Sequence, residues 1–242
     1  VRAQVVDTES AREFMRETLE QITPAELDAI AEACEVKHAA FRRRLAPPRA
    51  LDAAGLRPLL RSVFATRRRV AELLAHPGPA RLADAIDRLL DAHRPLPARV
   101  DAFCDALDGV APTVRWDLAS ELLHFSDPER YWLWTRWVWD PGTRTGALPL
   151  VTMEEVELGG ATPGETYLHV GRAVALVHET GRAAGFTRIG DGRFGVDVYL
   201  ACVYCVYVYT TVRMRMTQEF NRVIPPLPEL CRRFLGVHGM EA

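Results

Sequence analysis

The pair Cys202-Val203-Tyr204-Cys205 has the C-x-x-C spacing used in thiol–disulfide exchange and in half of a zinc site. In redox enzymes the first cysteine of such a pair sits at a helix N-terminus, where the dipole lowers its pKa. Here both thiols lie inside an apolar run, Val198 to Val212, which places them mid-helix in surroundings that raise a thiol pKa. Two core cysteines on one helix face is the plain reading; thiol or persulfide handling by Cys202 and Cys205 is the sharper one. Cys231 can join them only if the last helix folds back. With Cys34 and Cys104 the chain holds five cysteines, an odd and scattered set in a chain too long for a disulfide scaffold.

All five tryptophans, Trp116, Trp132, Trp134, Trp137 and Trp139, fall in one short stretch with Phe125 and Tyr131. Tryptophan combines a large apolar area with one N–H donor, which suits it to a core, an interface hot spot or a planar-ligand platform. The partner-surface reading names Trp132, Trp134, Trp137 and Trp139 with the intervening Arg136. A local core that seals the end of a helical bundle stands beside it.

Lys37 is the single lysine of the chain, so any mechanism that needs a lysine nucleophile must use it. Glu165 and His169 share a helical face, with His178 further along, but no H-E-x-x-H pattern accompanies them. His124, inside the aromatic cluster, reads as a hydrogen-bonded core histidine. Phosphate-loop, dinucleotide-binding and G-x-S-x-G motifs are missing, and only four serines exist to serve as nucleophiles. These features give no catalytic residue, no metal site and no cofactor. The balance of 30 basic against 32 acidic residues argues against the broad positive footprint of a typical nucleic-acid binder. The Arg42–Arg44 and Arg67–Arg69 triplets read as solvated helix ends. Were the two triplets to converge in space, they could hold an acidic partner or a phosphate backbone.

Leu107-Asp108-Gly109-Val110-Ala111-Pro112, then Ala119-Ser120-Glu121-Leu122-Leu123-His124-Phe125 and Asp127-Pro128-Glu129-Arg130-Tyr131, resembles the helix-hairpin-helix core of DNA glycosylase-like proteins. That resemblance implies a helical fold and a phosphate site at Gly109, Ala111 and Arg115, where hairpin amides open a helix N-terminus. Ala111 stands where the family has its second hairpin glycine. The family's catalytic lysine is missing from this segment, and Thr135 occupies the place expected for its aspartate, with Asp140 nearby. The resemblance therefore implies nucleic-acid binding without glycosylase activity. The tail from Glu219 to Leu230 resembles an accessory protein associated with heterodisulfide-reductase-like sulfur-oxidising complexes. This second resemblance implies binding to a multisubunit redox assembly.

The elements that must position these residues are helices. Thr23-Pro24-Ala25-Glu26 is a capping box with proline at the first helical position. After it, Leu27, Ile30, Ala31, Cys34, Phe41 and Leu45 fall on one face, and Pro47-Pro48 ends the segment. Further helices are expected at Arg57–Ala75, Ala80–His93 and Ala98–Leu107, with helix after helix over the first 140 residues. From Asp140 to Ala161 the pattern fails, leaving an irregular insertion with a β-like run at Leu148–Met153 and an acidic edge at Glu154, Glu155 and Glu157. Thr162-Pro163-Gly164-Glu165 opens another helix that Gly185 should close. Gly195–Asn221 has strand-like composition but no breaker from Val198 to Phe220. As one strand it would run far past the usual length, so a long buried helix is expected. A last helix runs from Leu227 to Leu235 with Gly236 as its cap.

The expected architecture is mostly all-α, a helical bundle in one domain over residues 1–242, or sub-units 1–139 and 162–242 joined by 140–161. A hydrophobic share of 48% and a charged share of 26% are those of an ordinary soluble globular protein. No apolar h-region stands near the first residues, and no apolar run reaches the ~20 residues a membrane helix needs. A cytoplasmic protein with reduced thiols is therefore expected. The leading function is a non-catalytic accessory subunit with a protein partner; nucleic-acid binding and thiol handling are the alternatives.

Overall fold

The computed structural model describes residues 5–47, 49, 51–184, 192–215 and 225–240. Ten α-helices and no strand ladder lie among them. In chain order they are α1 (Thr8–Leu19), α2 (Pro24–Leu45), α3 (Ala53–Ser62), α4 (Val70–Ala75) and α5 (Pro79–Leu90). There follow α6 (Leu96–Ala106), α7 (Pro112–Ser126), α8 (Pro163–Ala184), α9 (Gly195–Arg215) and α10 (Leu227–Phe234). The mostly all-α bundle read from periodicity is the architecture found.

Local chemistry sets most of the helix ends. In α2 the Thr23 hydroxyl accepts from Glu26 N at 3.3 Å, and the Glu26 carboxylate accepts from Thr23 N at 2.8 Å. Two of the amides left without partners at a helix start are thus satisfied, and losing such a cap costs about 1 kcal/mol. The buried stripe of α2 is Leu27, Ile30, Ala33, Cys34, Lys37, His38, Phe41 and Leu45. Its period is helical throughout, and two ionisable residues occupy the middle of it. At the other end of the chain, α10 closes in a Schellman motif. Val237 N donates to Arg232 O and Gly236 N to Arg233 O, with Gly236 at φ +67°.

Four expectations are corrected. The helix expected at Arg57–Ala75 is two helices, α3 and α4, because Val63 turns to extended backbone. Thr66 then reaches the core and donates its hydroxyl to Leu60 O at 2.6 Å. The stretch 127–139 is not helical, so the irregular segment begins directly after α7. The run Leu148–Met153 is no strand: Leu148–Leu150 forms a 3₁₀ turn, and Thr152 makes a single antiparallel bridge with Val6. The place of the tryptophans is the fourth: Trp134, Trp137 and Trp139 are buried. The expected stop at Gly185, residues 216–221 of the long helix and 219–224 of the tail lie outside the described residues.

The core is one continuous cluster that draws on every helix. α7 is its axis: every residue from Asp117 to Phe125 is buried. It packs on α2, α5 and α6, while α9 packs on α1, α2, α8 and α10. α6 and α8 approach closely because Gly164 lies against the Pro97 backbone, where a Cβ would overlap the carbonyl group. Asp101 fixes that crossing by accepting from Gly164 N at 2.8 Å and from the Thr162 hydroxyl at 3.1 Å.

Candidate functional site

A helix buried on all sides should be apolar on all sides, yet α7 carries Asp117, Ser120, Glu121 and His124 on one face, all buried. The irregular segment after α7 explains three of them. Chain without helical hydrogen bonds runs through the core there, and its buried backbone groups need partners. Ser120 Oγ accepts from Trp134 N at 2.6 Å and Asp117 Oδ1 from Arg136 N at 2.9 Å. His124 Nδ1 lies 2.7 Å from Tyr131 O and donates to it. The polar face of α7 thus stands in for the missing strand neighbour of residues 131–136.

Glu121 and the other nitrogen of His124 face other helices. The Lys37 ammonium on α2 is bonded to the Glu121 carboxylate, donates to Leu235 O at 2.8 Å, and stands 4.0 Å from the centroid of the Phe125 ring. His124 Nε2 lies 3.3 Å from Asp197 Oδ2 on α9, and neither atom has a well-aligned hydrogen bond elsewhere among the described residues. Burial pushes the Asp117 carboxyl well above its ordinary range, against the pull of Arg136. Burial also pushes Glu121 up, and Lys37 offsets part of that. For His124, desolvation alone would lower the pKa; the Asp197 charge and the Tyr131 carbonyl outweigh it and the net shift is upward. The one lysine is therefore fully enclosed and committed to a carboxylate, an arrangement that pins α2, α7 and α10 together.

The tryptophans expected to form a partner surface are mostly inside. Trp134, Trp137 and Trp139 are buried, which corrects that reading for all three; Trp132 is half-buried and Arg136 is exposed. The indoles are used for packing and for satisfying backbone. Trp134 stacks on Trp116 with centroids 5.3 Å apart and donates to Trp139 O at 2.9 Å, and Trp137 donates to Phe234 O at 3.1 Å.

The hairpin between α6 and α7 has Gly109 at φ +90°. Its amide is already bonded to the exposed Asp108 carboxylate at 3.0 Å. Arg115 bends back to donate to Val110 O at 2.6 Å and to Cys104 O at 3.3 Å, and it also contacts Asp108. Of Gly109, Ala111 and Arg115, two are thus engaged within the hairpin, beside a negative charge that would repel a phosphate.

The last helix does fold back. Cys231 Sγ lies 3.3 Å from Cys205 Sγ and 3.6 Å from Cys202 Sγ, all three enclosed and unbridged. Contact with Cys231 and then burial raise Cys202, and burial chiefly raises the other two. Thiols held in the protonated form are poor nucleophiles. Among the described residues no group of three or more His, Cys, Asp or Glu, these thiols included, is placed to hold a metal ion. No helix there is long and apolar enough to cross a membrane.

What the fold does assemble at its surface is a cluster of arginines on aromatic rings. The link between α3 and α4 brings Phe64, Arg67 and Arg68. α9 brings Tyr204 and Tyr207, α10 brings Arg233 and Phe234, and the irregular segment brings Arg136. The Arg67 guanidinium lies 4.7 Å from the Phe64 ring centroid and that of Arg136 lies 6.0 Å from it. Phe64 packs on Phe234 at 5.5 Å, Phe234 on Tyr204 at 5.1 Å, and Tyr204 on Tyr207 at 6.0 Å. Arg233 pairs with Glu229 and Arg136 is 4.0 Å from buried Asp117. Among the described residues, neither Arg67 nor Arg68 has an ion-pair partner. Partial burial, then the charges of Arg68 and Arg233, hold Arg67 below the ordinary arginine range.

No protein-family model, curated protein or solved structure matches this chain. The site stands on its geometry. Sequence reasoning flagged Arg136 and the Arg67–Arg69 triplet and missed Phe64, Tyr204, Tyr207, Arg233 and Phe234. No local signal could have grouped residues drawn from four separate segments.

Proposed function

We propose that this chain is a non-catalytic accessory protein that docks an acidic partner protein on the arginine–aromatic face around Phe64. The observation that carries this reading is the gathering of Arg67 and Arg136 at the Phe64 ring, with no carboxylate paired to Arg67 or Arg68 among the described residues. Like charges held together are unfavourable in the free protein, and an anionic partner relieves them. Arginine seated on aromatic rings is also the composition of interface hot spots. The tail resemblance puts such a partner in a sulfur-metabolism redox assembly, and that finer assignment rests on the resemblance alone.

Nucleic-acid binding through Gly109, Ala111 and Arg115 is the weaker reading, since Asp108 and the hairpin carbonyls already occupy its donors. Thiol handling by Cys202 and Cys205 is weaker still, given their enclosure.

The test is capture from nuclease-treated native extract on immobilised wild-type protein and on Arg67→Gln/Arg68→Gln. A specific protein partner is expected on the wild type only, released by moderate salt because surface charge attraction is screened. Capture of the same partners by the double variant would remove this face from the function. Binding of a single-stranded oligonucleotide instead, weakening steeply with salt, would move the function to nucleic acid.

A further inference from the structure

A second feature, which shares no residue with the cluster around Phe64, lies where α3 meets the turn that follows α10. A cleft of about 300 Å³ opens there, lined by Ala54, Arg57, Pro58, Arg61, Ser62, Gly236, His238 and Met240. Arg57 and Arg61 are one helical turn apart, so their side chains leave α3 on the same face. His238 is supplied by the opposite wall. Among the described residues no carboxylate lines the cleft, and neither arginine has an ion-pair partner there. The Ser62 hydroxyl at the same wall donates to Leu59 O at 2.8 Å.

The opposite wall is fixed in place. The Schellman closure of α10 holds Gly236 and Val237, Val237 is buried, and Met240 N donates to Val237 O at 3.1 Å. Gly236 is required at the floor: a Cβ there would overlap the Ser62 carbonyl oxygen and lie 2.7 Å from Lys37 Nζ. The enclosed Lys37 ammonium is thus one residue's thickness behind the cleft. Arg57 and Arg61 share the α3 wall with Ala54 and Pro58, which together with Met240 supply an apolar remainder. The volume is at the small end of the range for ligand pockets, roughly 300–1,000 Å³.

We infer that this cleft binds a small organic phosphate monoester, its phosphate held by Arg57, Arg61 and His238 and its apolar body against Pro58 and Met240. Two guanidinium forks and an imidazole match the three terminal oxygens of a phosphate better than the two of a carboxylate. The site shares no residue with the partner face, and the proposal does not rest on that reading.

The experiment is isothermal titration calorimetry at low salt with phenyl phosphate as probe, and with benzoate and benzyl alcohol as the carboxylate and neutral counterparts. Wild type should bind phenyl phosphate saturably, and benzoate at least about tenfold more weakly. Arg57→Gln/Arg61→Gln should weaken phenyl phosphate by about tenfold or more. Both positions are exposed, so unchanged circular dichroism and Tm are expected for that variant. Arg67→Gln/Arg68→Gln should bind phenyl phosphate as the wild type does, which separates this site from the docking face. No saturable binding up to about 10 mM, or equal binding by Arg57→Gln/Arg61→Gln, would overturn the assignment.

Discussion

Lys37 on α2 and Glu121 on α7, 84 residues apart in the chain, form an ion pair with neither side chain open to solvent. Its surroundings decide its worth. The ammonium also has the Leu235 carbonyl and the Phe125 ring, so its charge is compensated on several sides. Taking two charges out of water is nonetheless expensive, and such a pair is strongly needed only once one member is present.

Removing one partner should therefore cost more than removing both. Lys37→Met or Glu121→Leu alone is expected to destabilise by about 3–5 kcal/mol, because each leaves an uncompensated buried charge. The double variant Lys37→Met/Glu121→Leu should recover most of that loss. Urea denaturation of the four proteins measures the coupling, and strictly additive losses would show that the two groups do not act as a pair.

The buried acid groups set a pH dependence with a definite sign. Asp117 is raised above its ordinary 3.8 and Glu121 above 4.5, chiefly by burial. His124 is raised above 6.5: Asp197 and the Tyr131 carbonyl overcome its desolvation. Each group keeps its proton to higher pH in the folded chain than in the unfolded one. The native state then binds more protons between the two values, and stability falls as pH rises through that window. Tm should decline as pH rises above the ordinary carboxylate values of 3.8 and 4.5, and again above the ordinary histidine value of 6.5. Asp117→Asn, which keeps an acceptor for Arg136 N, should flatten the early part of that decline. The helix-start carboxylates of half-buried Asp7 and exposed Glu26 are lowered by hydrogen bonds and act in the opposite sense, losing their small contribution as pH falls. A Tm rising steadily toward alkaline pH would contradict the charge states described.

Reactivity of the enclosed thiols should follow unfolding. Cys202, Cys205 and Cys231 are expected to resist iodoacetamide in the native protein and to react at ordinary rates in denaturant. Mass spectrometry after timed alkylation resolves each site. Rapid native labelling of Cys202 or Cys205 would restore the thiol-handling reading.

Tryptophans and arginines of the same neighbourhood should separate by readout. Trp134→Ala and Trp137→Ala remove buried indoles and are expected to cost about 3–5 kcal/mol. Arg67→Gln and Arg68→Gln should change stability by no more than about 0.5 kcal/mol while removing partner capture. Chemical denaturation beside the capture assay makes the comparison. Loss of capture without loss of stability on changing Trp134 would return the indole to the surface.

The sequence by itself determined the helices, because their signals are local. Thr23 with Glu26, Pro24 at the first helical position and Gly236 at the last all act within a turn or two of chain. The uninterrupted run after Val198 likewise specified a long buried helix against its strand-like composition. Only the tertiary structure decided what the chemically suggestive residues do. The tryptophans, whose types and spacing suit a core as well as a partner surface or a planar-ligand platform, went inward because the backbone of 131–136 had to be buried and α7 offered Asp117, Ser120 and His124 to satisfy it. Lys37 looked like the one available nucleophile until Glu121 came to it from another helix. The arginine–aromatic face has no sequence signature at all, since Phe64, Arg136, Tyr204 and Phe234 meet only through packing. Hydrogen-bond and capping preferences reach a few residues along a chain, whereas desolvation and charge pairing depend on whichever segments the core brings together.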